Sequence, residues 1–308
     1  MKFISFCPDI LSEAPSGAML ALGCFDGLHS GHRALLAHAK EEADKRGIAV
    51  GVWSPAGAKP GPRLHDEGQK LQMLACLGVH FYIEEPFEEL RLLSPEDFFD
   101  AYLLGRYHAS ALACGQTFTF GKDRSGNSEV LKKLCASAGI PLIVEQTVYA
   151  DGRPVSSTAV RQALARGDIQ AATRLLAGDV VFCAVTREGR HVGRDLGYPT
   201  LNLPFAGDCP YKNGVYTASV SVDGKKAVPA LVNIGVHPTF EEAEKPLCEV
   251  HLLQNPGEDN MYGKKVSVTF HRFLRPEKKF ENETELQKQL KKDEECARSM
   301  WEQILAKQ

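Results

Sequence analysis

Two histidines three residues apart, His29 and His32, bracket a glycine in the run Gly23-Cys24-Phe25-Asp26-Gly27-Leu28-His29-Ser30-Gly31-His32. Two imidazoles at the opening of a helix can donate to the non-bridging oxygens of a phosphate as charge builds on it. Gly31 lets the backbone come close, and the N–H groups and dipole of a helix start favour an anion. That chemistry suits nucleotidyl transfer, with attack at an α-phosphate and departure of pyrophosphate. The plainer alternative is a Phe-Asp-Gly turn beside two surface histidines, because short motifs match by chance. A second run, Ser156-Ser157-Thr158-Ala159-Val160-Arg161, is rich in hydroxyls and ends on an arginine near a helix start. Such a loop can fold over β- and γ-phosphates, with Arg161 neutralising the leaving group. Alone it is no more than a capped helix. Together the two runs favour a nucleotide site. Its expected binding residues are Gly23, Phe25, Asp26, Gly31, Ser156, Ser157 and Thr158, and its expected catalytic residues are His29, His32 and Arg161.

A separate constellation lies in the second half, in Gly193-Arg194-Asp195-Leu196-Gly197-Tyr198-Pro199-Thr200-Leu201-Asn202, with Gly189 just before it. The glycines Gly193 and Gly197 allow a loop to wrap a polyphosphate, and Arg194 adds charge. Thr200 and Asn202 are two apart and share one side if the segment is extended. A hydroxyl and an amide carbonyl are hard oxygen ligands suited to Mg²⁺ carried by ATP. His251 and His271 read as structural strand histidines. The run Lys288–Glu295 reads as a solvated helix face with opposite-charge pairs.

The elements that must hold these residues differ between the halves. Met19–Leu22, 48–53, 81–83, 111–114 and 142–144 read as strands, and 31–46, 66–77 and 128–138 as helices. Ser94-Pro95-Glu96-Asp97 opens another helix with a capping serine and a proline at its first position. The alternation implies a parallel sheet with helices on both faces, and the histidine run sits where such sheets bind ligands, beyond a strand's carboxyl end. A helical stretch from Thr158 to Leu176 is interrupted at Gly167-Asp168. After Gly178 the pattern turns antiparallel: 215–222, a tight Asp223-Gly224 turn and 228–234, then 247–253 and 266–273. A small β-barrel is expected there, closed off in sequence by an amphipathic helix over 283–307. The expected domains are therefore 1–178, α/β and doubly wound, and 179–308, antiparallel barrel with a terminal helix.

Bulk properties narrow the classes. At 308 residues two domains are the default, and 44% hydrophobic residues exclude a disordered chain. A net charge of -3 gives no global attraction to nucleic acid or anionic lipid, so a phosphate site must be built locally. Nine scattered cysteines with no CxxC pair fit reduced cytoplasmic thiols better than a disulfide framework or a zinc site. The opening residues 1–9 hold too short an apolar run for a signal peptide, and no membrane span is expected.

With these residues in view, the chain resembles the bacterial bifunctional riboflavin kinase/FAD synthetases. GxFDGxHxGH, the later Ser156-Ser157-Thr158 and Arg161, and Gly115-Gln116-Thr117-Phe118-Thr119-Phe120-Gly121 with Arg124 and Gly126 carry the first half. Gly193-Arg194, Gly197, Pro199-Thr200 and Asn202 resemble the flavokinase signature, with Leu201 where alanine is usual. Asn213-Gly214-Val215-Tyr216, Asn233–Phe240 and Phe273-Leu274-Arg275-Pro276 follow in family order. The resemblance implies FMN adenylylation in the first domain and riboflavin phosphorylation in the second, both with ATP and Mg²⁺. It also implies that Glu249, in Cys248-Glu249-Val250-His251-Leu252, is the base taking the proton of the flavin's ribityl hydroxyl. By spacing alone Glu249 is better explained as a solvent-facing residue of an alternating strand, and the combined signature reverses that. Two positions depart from the pattern. Pro55-Ala56-Gly57 stands where the family reads Pro-His-Pro, and Thr117 replaces an aspartate, so both are expected to border the pocket and to weaken FAD formation unless they are neutral drift. A kinase with a degenerate first domain, and a non-catalytic flavin or nucleotide sensor, are the rival readings.

Overall fold

Met19–Leu22 (β2) is buried at all four positions and lies at the centre of the first sheet. The computed structural model describes residues 1–7, 14–58, 61–187, 198–205, 207–236, 246–254 and 261–306. Around β2 stand Lys2–Ser5 (β1), Val50–Ala56 (β3), Phe81–Pro86 (β4), Ala111–Gly115 (β5) and Leu142–Glu145 (β6). Their order is β1-β4-β3-β2-β5-β6, with β1 antiparallel to β4 and every other pairing parallel. Period-two alternation sends Met19 and Ala21 to one face and Leu20 and Leu22 to the other, and both faces are covered. Ser30–Arg46 (α1) and Glu67–Cys76 (α2) cover the first, through Leu35, Leu36, Ala39, Ala43 and Leu74. Ser128–Ala138 (α3) and the segment Phe98–Arg106 cover the second. That segment is π-helical, and Tyr107 closes it by donating to the carbonyl of Tyr102. Ser94 accepts from the N–H of Asp97 as the capping serine expected there, with Pro95 at the first position. The chain direction of winding reverses between β2 and β5, which makes the carboxyl ends of those two strands the crevice for a ligand.

The second sheet is antiparallel throughout. Val180–Val185 (β7), Thr200–Pro204 (β8), Gly214–Val222 (β9), Val228–Val236 (β10), Pro246–Leu252 (β11) and Lys265–Arg275 (β12) run in the order β7-β12-β9-β10-β11-β8. Its two edges approach, since Arg187 N–H donates to the carbonyl of Asn202 in an isolated antiparallel bridge. The curled sheet encloses Tyr216, Ala218, Val232, Ile234, Cys248, Val250, Val268 and Phe270. Asp223 and Gly224 both have positive φ, as the tight turn between β9 and β10 requires. Ser157–Arg166 (α4) and Ile169–Leu176 (α5) break at Gly167-Asp168, and Asp168 caps α5 through Ala171 N–H. Their apolar stripe, Val160, Ala163, Leu164, Ile169 and Ala172, belongs to the same core as the barrel. Contacts accordingly divide the chain into one unit of residues 1–61 and 67–157 and another of 62–66 and 158–308. The final helix, Glu283–Leu305 (α6), is capped by Asn282 and lies over the outside of β9 and β10.

Most expected elements are present with small shifts at their ends. Features that were not expected include the edge strand β1, strand β7 directly after Gly178, and the π-helical winding of Phe98–Arg106. Strand β3 also runs three residues past Trp53, because Ser54, Pro55 and Ala56 remain paired with Glu84, Glu85 and Pro86.

Candidate active sites

In the first unit, the chain leaves β2 at Gly23 and enters α1 at Ser30. His29 is the N-cap: its backbone is extended, and its Nδ1 accepts from the N–H of His32 at 3.3 Å. This cap leaves Nδ1 as the acceptor and puts the proton of a neutral ring on Nε2. The two imidazoles are stacked, with centroids 3.7 Å apart. A side chain at Gly31 would meet the His29 ring at 3.3 Å, so the smallest residue lets the capping ring lie against the helix start. Phe25 is fully buried, and its ring lies 5.0 Å from that of His32. The hydroxyl of Ser157 donates to the carbonyl of Asp26 at 2.8 Å. The two runs that looked like halves of one site are therefore tied by a hydrogen bond.

These residues open onto a cavity of about 790 Å³. Gly23, His29, Gly31, His32, Ser156 and Ser157 line it from the expected set, and so does the loop from Gly115 to Gly121 after β5. Its walls run along the carboxyl ends of β2 and β5, the crevice that the strand order dictates. Phe25 and Asp26 stand behind the lining and support it. Thr117 borders the cavity as expected, whereas Ala56 does not; its neighbour Pro55 does. Asp123, Arg124 and Glu145 add charged groups to the rim, and Glu145 is held by His38 at 2.6 Å. Glu145 carried no signal in the sequence, because its motif neighbours are ordinary strand residues. Thr158 and Arg161 fall in the second unit, where Nε of Arg161 donates to the carbonyl of Pro62 at 2.7 Å.

The second unit builds its polar group by strand register. Asn202 on β8 pairs with Glu249 on β11, and Glu249 pairs with Asn233 on β10. Directly paired residues share a face with Cβ atoms about 5 Å apart, so the three form one row on the outside of the barrel. Thr200 stands in the next outward row, opposite His251. Leu201 and Leu203 point the other way, towards the core, which gives Thr200 and Asn202 their common side. Glu249 is half-buried on this outer face and is not sunk in the core. Along the same row lie Val215 and Arg275, and α6 covers Val215 and Leu231 through Ala297. Arg275 is bound by the buried Asp293 of α6 at 2.7 Å. A second carboxylate missed in the sequence joins the row: Glu277 accepts from Nδ2 of Asn233 at 3.3 Å. It can do so because Gly235 has no side chain, whose Cβ would fall 2.0 Å from its oxygen.

His251 donates from Nδ1 to the carbonyl of Pro199 at 2.9 Å and packs its ring 5.0 Å from Tyr198. It ties the approach to β8. His271 bonds Ser219 at 3.1 Å, and burial lowers its pKa. Gly189, Gly193, Arg194 and Gly197 lie outside the described residues, as do Asp195, Leu196 and 237–240. Among the described residues no group of three His, Cys, Asp or Glu side chains could hold a metal ion. None of the described helices is long and apolar enough to cross a membrane. All nine cysteines are free, and burial pushes the thiols of Cys114 and Cys135 up to about 12 and about 11.

Comparison with known proteins covers both units. The family model described as FAD synthetase matches residues 11–159, and that described as riboflavin kinase matches residues 177–301. The bifunctional riboflavin kinase/FMN adenylyltransferase of Escherichia coli K12 is 35% identical over 94% of this chain and 95% of its own. That of Pseudomonas fluorescens is 32% identical over 92% and 93%, and that of Bacillus subtilis 29% identical over 94% of each. A solved structure from Streptococcus pneumoniae, described as a macrolide-efflux protein, superposes with a TM-score of 0.82 at 27% identity, over 92% of this chain and 95% of that one.

Proposed function

The chain belongs to the bifunctional riboflavin kinase/FMN adenylyltransferase family, and from that premise we propose how its residues divide the work. It is an enzyme of flavin-cofactor synthesis that phosphorylates riboflavin and adenylylates the resulting FMN, with ATP as donor in both steps.

In the adenylylation, an FMN phosphate oxygen attacks the α-phosphorus of ATP, the bond to the bridging oxygen breaks, and pyrophosphate leaves. We assign the α-phosphate to the start of α1. Nε2–H of His29 and the ring of His32 would donate to oxygens whose charge grows in the transition state. Gly23 and Gly31 would allow close approach, and Phe25 and Asp26 would brace the loop. Ser156, Ser157 and Thr158 would bind the remaining phosphates, with Arg161 offsetting the charge of the leaving pyrophosphate. The observation that carries this assignment is the stacked His29–His32 pair at a helix N-terminus, facing a cavity at the reversal of strand order.

In the phosphorylation, the terminal ribityl oxygen attacks the γ-phosphorus, the bond to the β-phosphate oxygen breaks, and ADP leaves. We assign Glu249 as the base that takes the hydroxyl proton. Thr200 and Asn202 would supply two oxygen ligands to Mg²⁺, the remainder coming from phosphate and water, as that ion prefers. Gly193, Arg194, Gly197 and Pro199 would wrap the nucleotide. The in-register row of Asn202, Glu249 and Asn233 is what supports this reading, because it brings a base and an oxygen ligand to one face. We place the functional boundary at Gly178-Asp179, with α4 and α5 serving the second unit's core. Free cysteines and the lack of a spanning helix among the described residues favour a cytoplasmic enzyme acting on small molecules. Separate assays of FMN formation from riboflavin and FAD formation from FMN, on single-site variants of the full chain, test the assignment residue by residue.

A further inference from the structure

We propose that Lys70 is a positioning residue for nucleotidyl transfer: its ammonium clamps the loop that ends in His29 and leads to His32 in the first turn of α1. Lys70 lies on α2, outside both phosphate-binding runs. Its Nζ donates to the carbonyl of Cys24 at 3.1 Å, to the hydroxyl of Tyr82 at 2.8 Å and to Oγ of Ser54 at 3.3 Å. An ammonium has three N–H donors, so one side chain can grip all three of these oxygens. Ser54 donates to the same Cys24 carbonyl at 3.3 Å, and the Tyr82 hydroxyl donates a hydrogen bond to Oε1 of Glu84 at 2.8 Å. Burial raises the pKa of Tyr82, which keeps it a neutral hydroxyl in this network.

The clamped carbonyl stands at a demanding point of the backbone. The next residue, Phe25, has φ +48°, and Leu28 has φ +42°. Bulky side chains rarely adopt this left-handed region, and they stay there only when their surroundings fix them. A peptide is planar, so gripping the Cys24 carbonyl fixes the plane from which Phe25 turns. Two further grips follow at every second peptide. Ser157 holds the Asp26 carbonyl at 2.8 Å, and Nε of Arg33 holds that of Leu28 at 3.0 Å, directly before His29. The first grip has a direct line to the chemistry, because the Phe25 ring packs 5.0 Å from the His32 imidazole. Cys24 itself lines the cavity. Removing the ammonium would release the Cys24–Phe25 peptide, and the stacked histidines would lose their fixed aim.

This inference rests on the assignment of the first unit as the adenylylation site. The test uses the full chain with Lys70→Met, which keeps the apolar stem, and Lys70→Arg, which restores a cation able to reach a carbonyl and a hydroxyl. FAD formation from FMN and ATP is measured beside riboflavin phosphorylation in the same preparation. Misaim of a reacting group costs on the order of 100-fold in rate. Lys70→Met is expected to lower kcat for FAD formation ~10- to 100-fold, with KM for FMN changed less than about threefold. Riboflavin phosphorylation stays within about twofold, and Lys70→Arg recovers most of the loss. Amide hydrogen exchange across Gly23–His29 becomes faster in Lys70→Met, while the far end of α1 is unchanged. FAD formation within about twofold of wild type would overturn the proposal, as would a loss confined to KM or an equal loss of both activities. A wild type that makes no FAD strikes the assignment of the first unit; exchange at Gly23–His29 still judges Lys70, and no change there overturns its role.

Discussion

The two sites are built on opposite plans. The first hangs on a loop: seven residues between β2 and α1 end in His29, His32 follows in the first turn of α1, and side chains from outside the loop hold its carbonyls. The second is set out on strands, where hydrogen-bond register alone puts Asn202, Glu249 and Asn233 side by side. A loop site can use backbone N–H groups and a helix dipole, which suits stabilising a phosphate charge. A strand site offers side chains at fixed spacing, which suits a base beside a metal ligand. Each plan also fails differently. Changes near the loop act through its conformation, whereas changes on the strands act mainly through the group removed.

The largest separation between the plans is expected from Glu249→Gln. Loss of a general base costs a factor of ~10²–10⁴, so FMN formation from riboflavin should fall by that much. FAD formation from supplied FMN should be unchanged, because the variant leaves the first unit untouched. Steady-state assays of the two steps read this directly. The reciprocal variant, His29→Ala with His32→Ala, should remove FAD formation by ~10²–10³ and leave FMN formation intact. A fall in both activities for either variant would mean that the sites are not separable.

A smaller effect is expected at the two proposed metal ligands. Thr200→Val and Asn202→Ala each delete one oxygen, and about 1.4 kcal/mol of lost binding is tenfold in affinity. The Mg²⁺ concentration for half-maximal kinase activity should rise by roughly that factor in each variant. Riboflavin binding without nucleotide should change little. Unchanged Mg²⁺ dependence would remove that residue from the ligand set.

The smallest effect concerns the two departures from the family pattern, and here the structure alters the expectation. Thr117 borders the cavity and Ala56 does not. Thr117→Asp should therefore account for most of any gain in FAD formation, of about two- to tenfold on the scale of one added polar contact. Ala56→His, between the lining residues Pro55 and Ala58, should add less to it than Thr117→Asp does. An Ala56→His gain equal to that of Thr117→Asp would show that β3 reaches the reacting groups by a route the cavity lining does not reveal.

The sequence was most legible where periodicity and capping agree. Ser128–Ala138 follows from its Asn127 cap and Gly139 terminator, and the β9–β10 hairpin from Asp223-Gly224. It was least legible where partners lie far apart in the chain. Lys2–Ser5 is too short and half-exposed to signal an edge strand, and its place depends on β4. Val180–Val185 is an apolar run beside the domain boundary, and its pairing with β12 makes it a strand. The site residues divide in the same way. His29, His32, Ser157, Thr200 and Asn202 sit in compact motifs. Lys70, Glu145 and Glu277 are single charged residues whose meaning comes from Cys24, His38 and Asn233. Register could have placed Asn233 beside Glu249, but only after the pairing of β10 with β11 was known. Spacing read Glu249 as an outward-facing residue of an alternating strand, and it does face outward; only the resemblance singled it out as a base.

The central claim, two flavin-processing sites on one chain, is tested most directly by one time course. The full chain is incubated with riboflavin, ATP and Mg²⁺, and riboflavin, FMN and FAD are separated by chromatography as the reaction proceeds. FMN is expected to rise first and pass through a maximum while FAD grows at its expense, with FAD formation the slower step. FMN that accumulates without any FAD, or FAD formed from supplied FMN while riboflavin is left untouched, would contradict it.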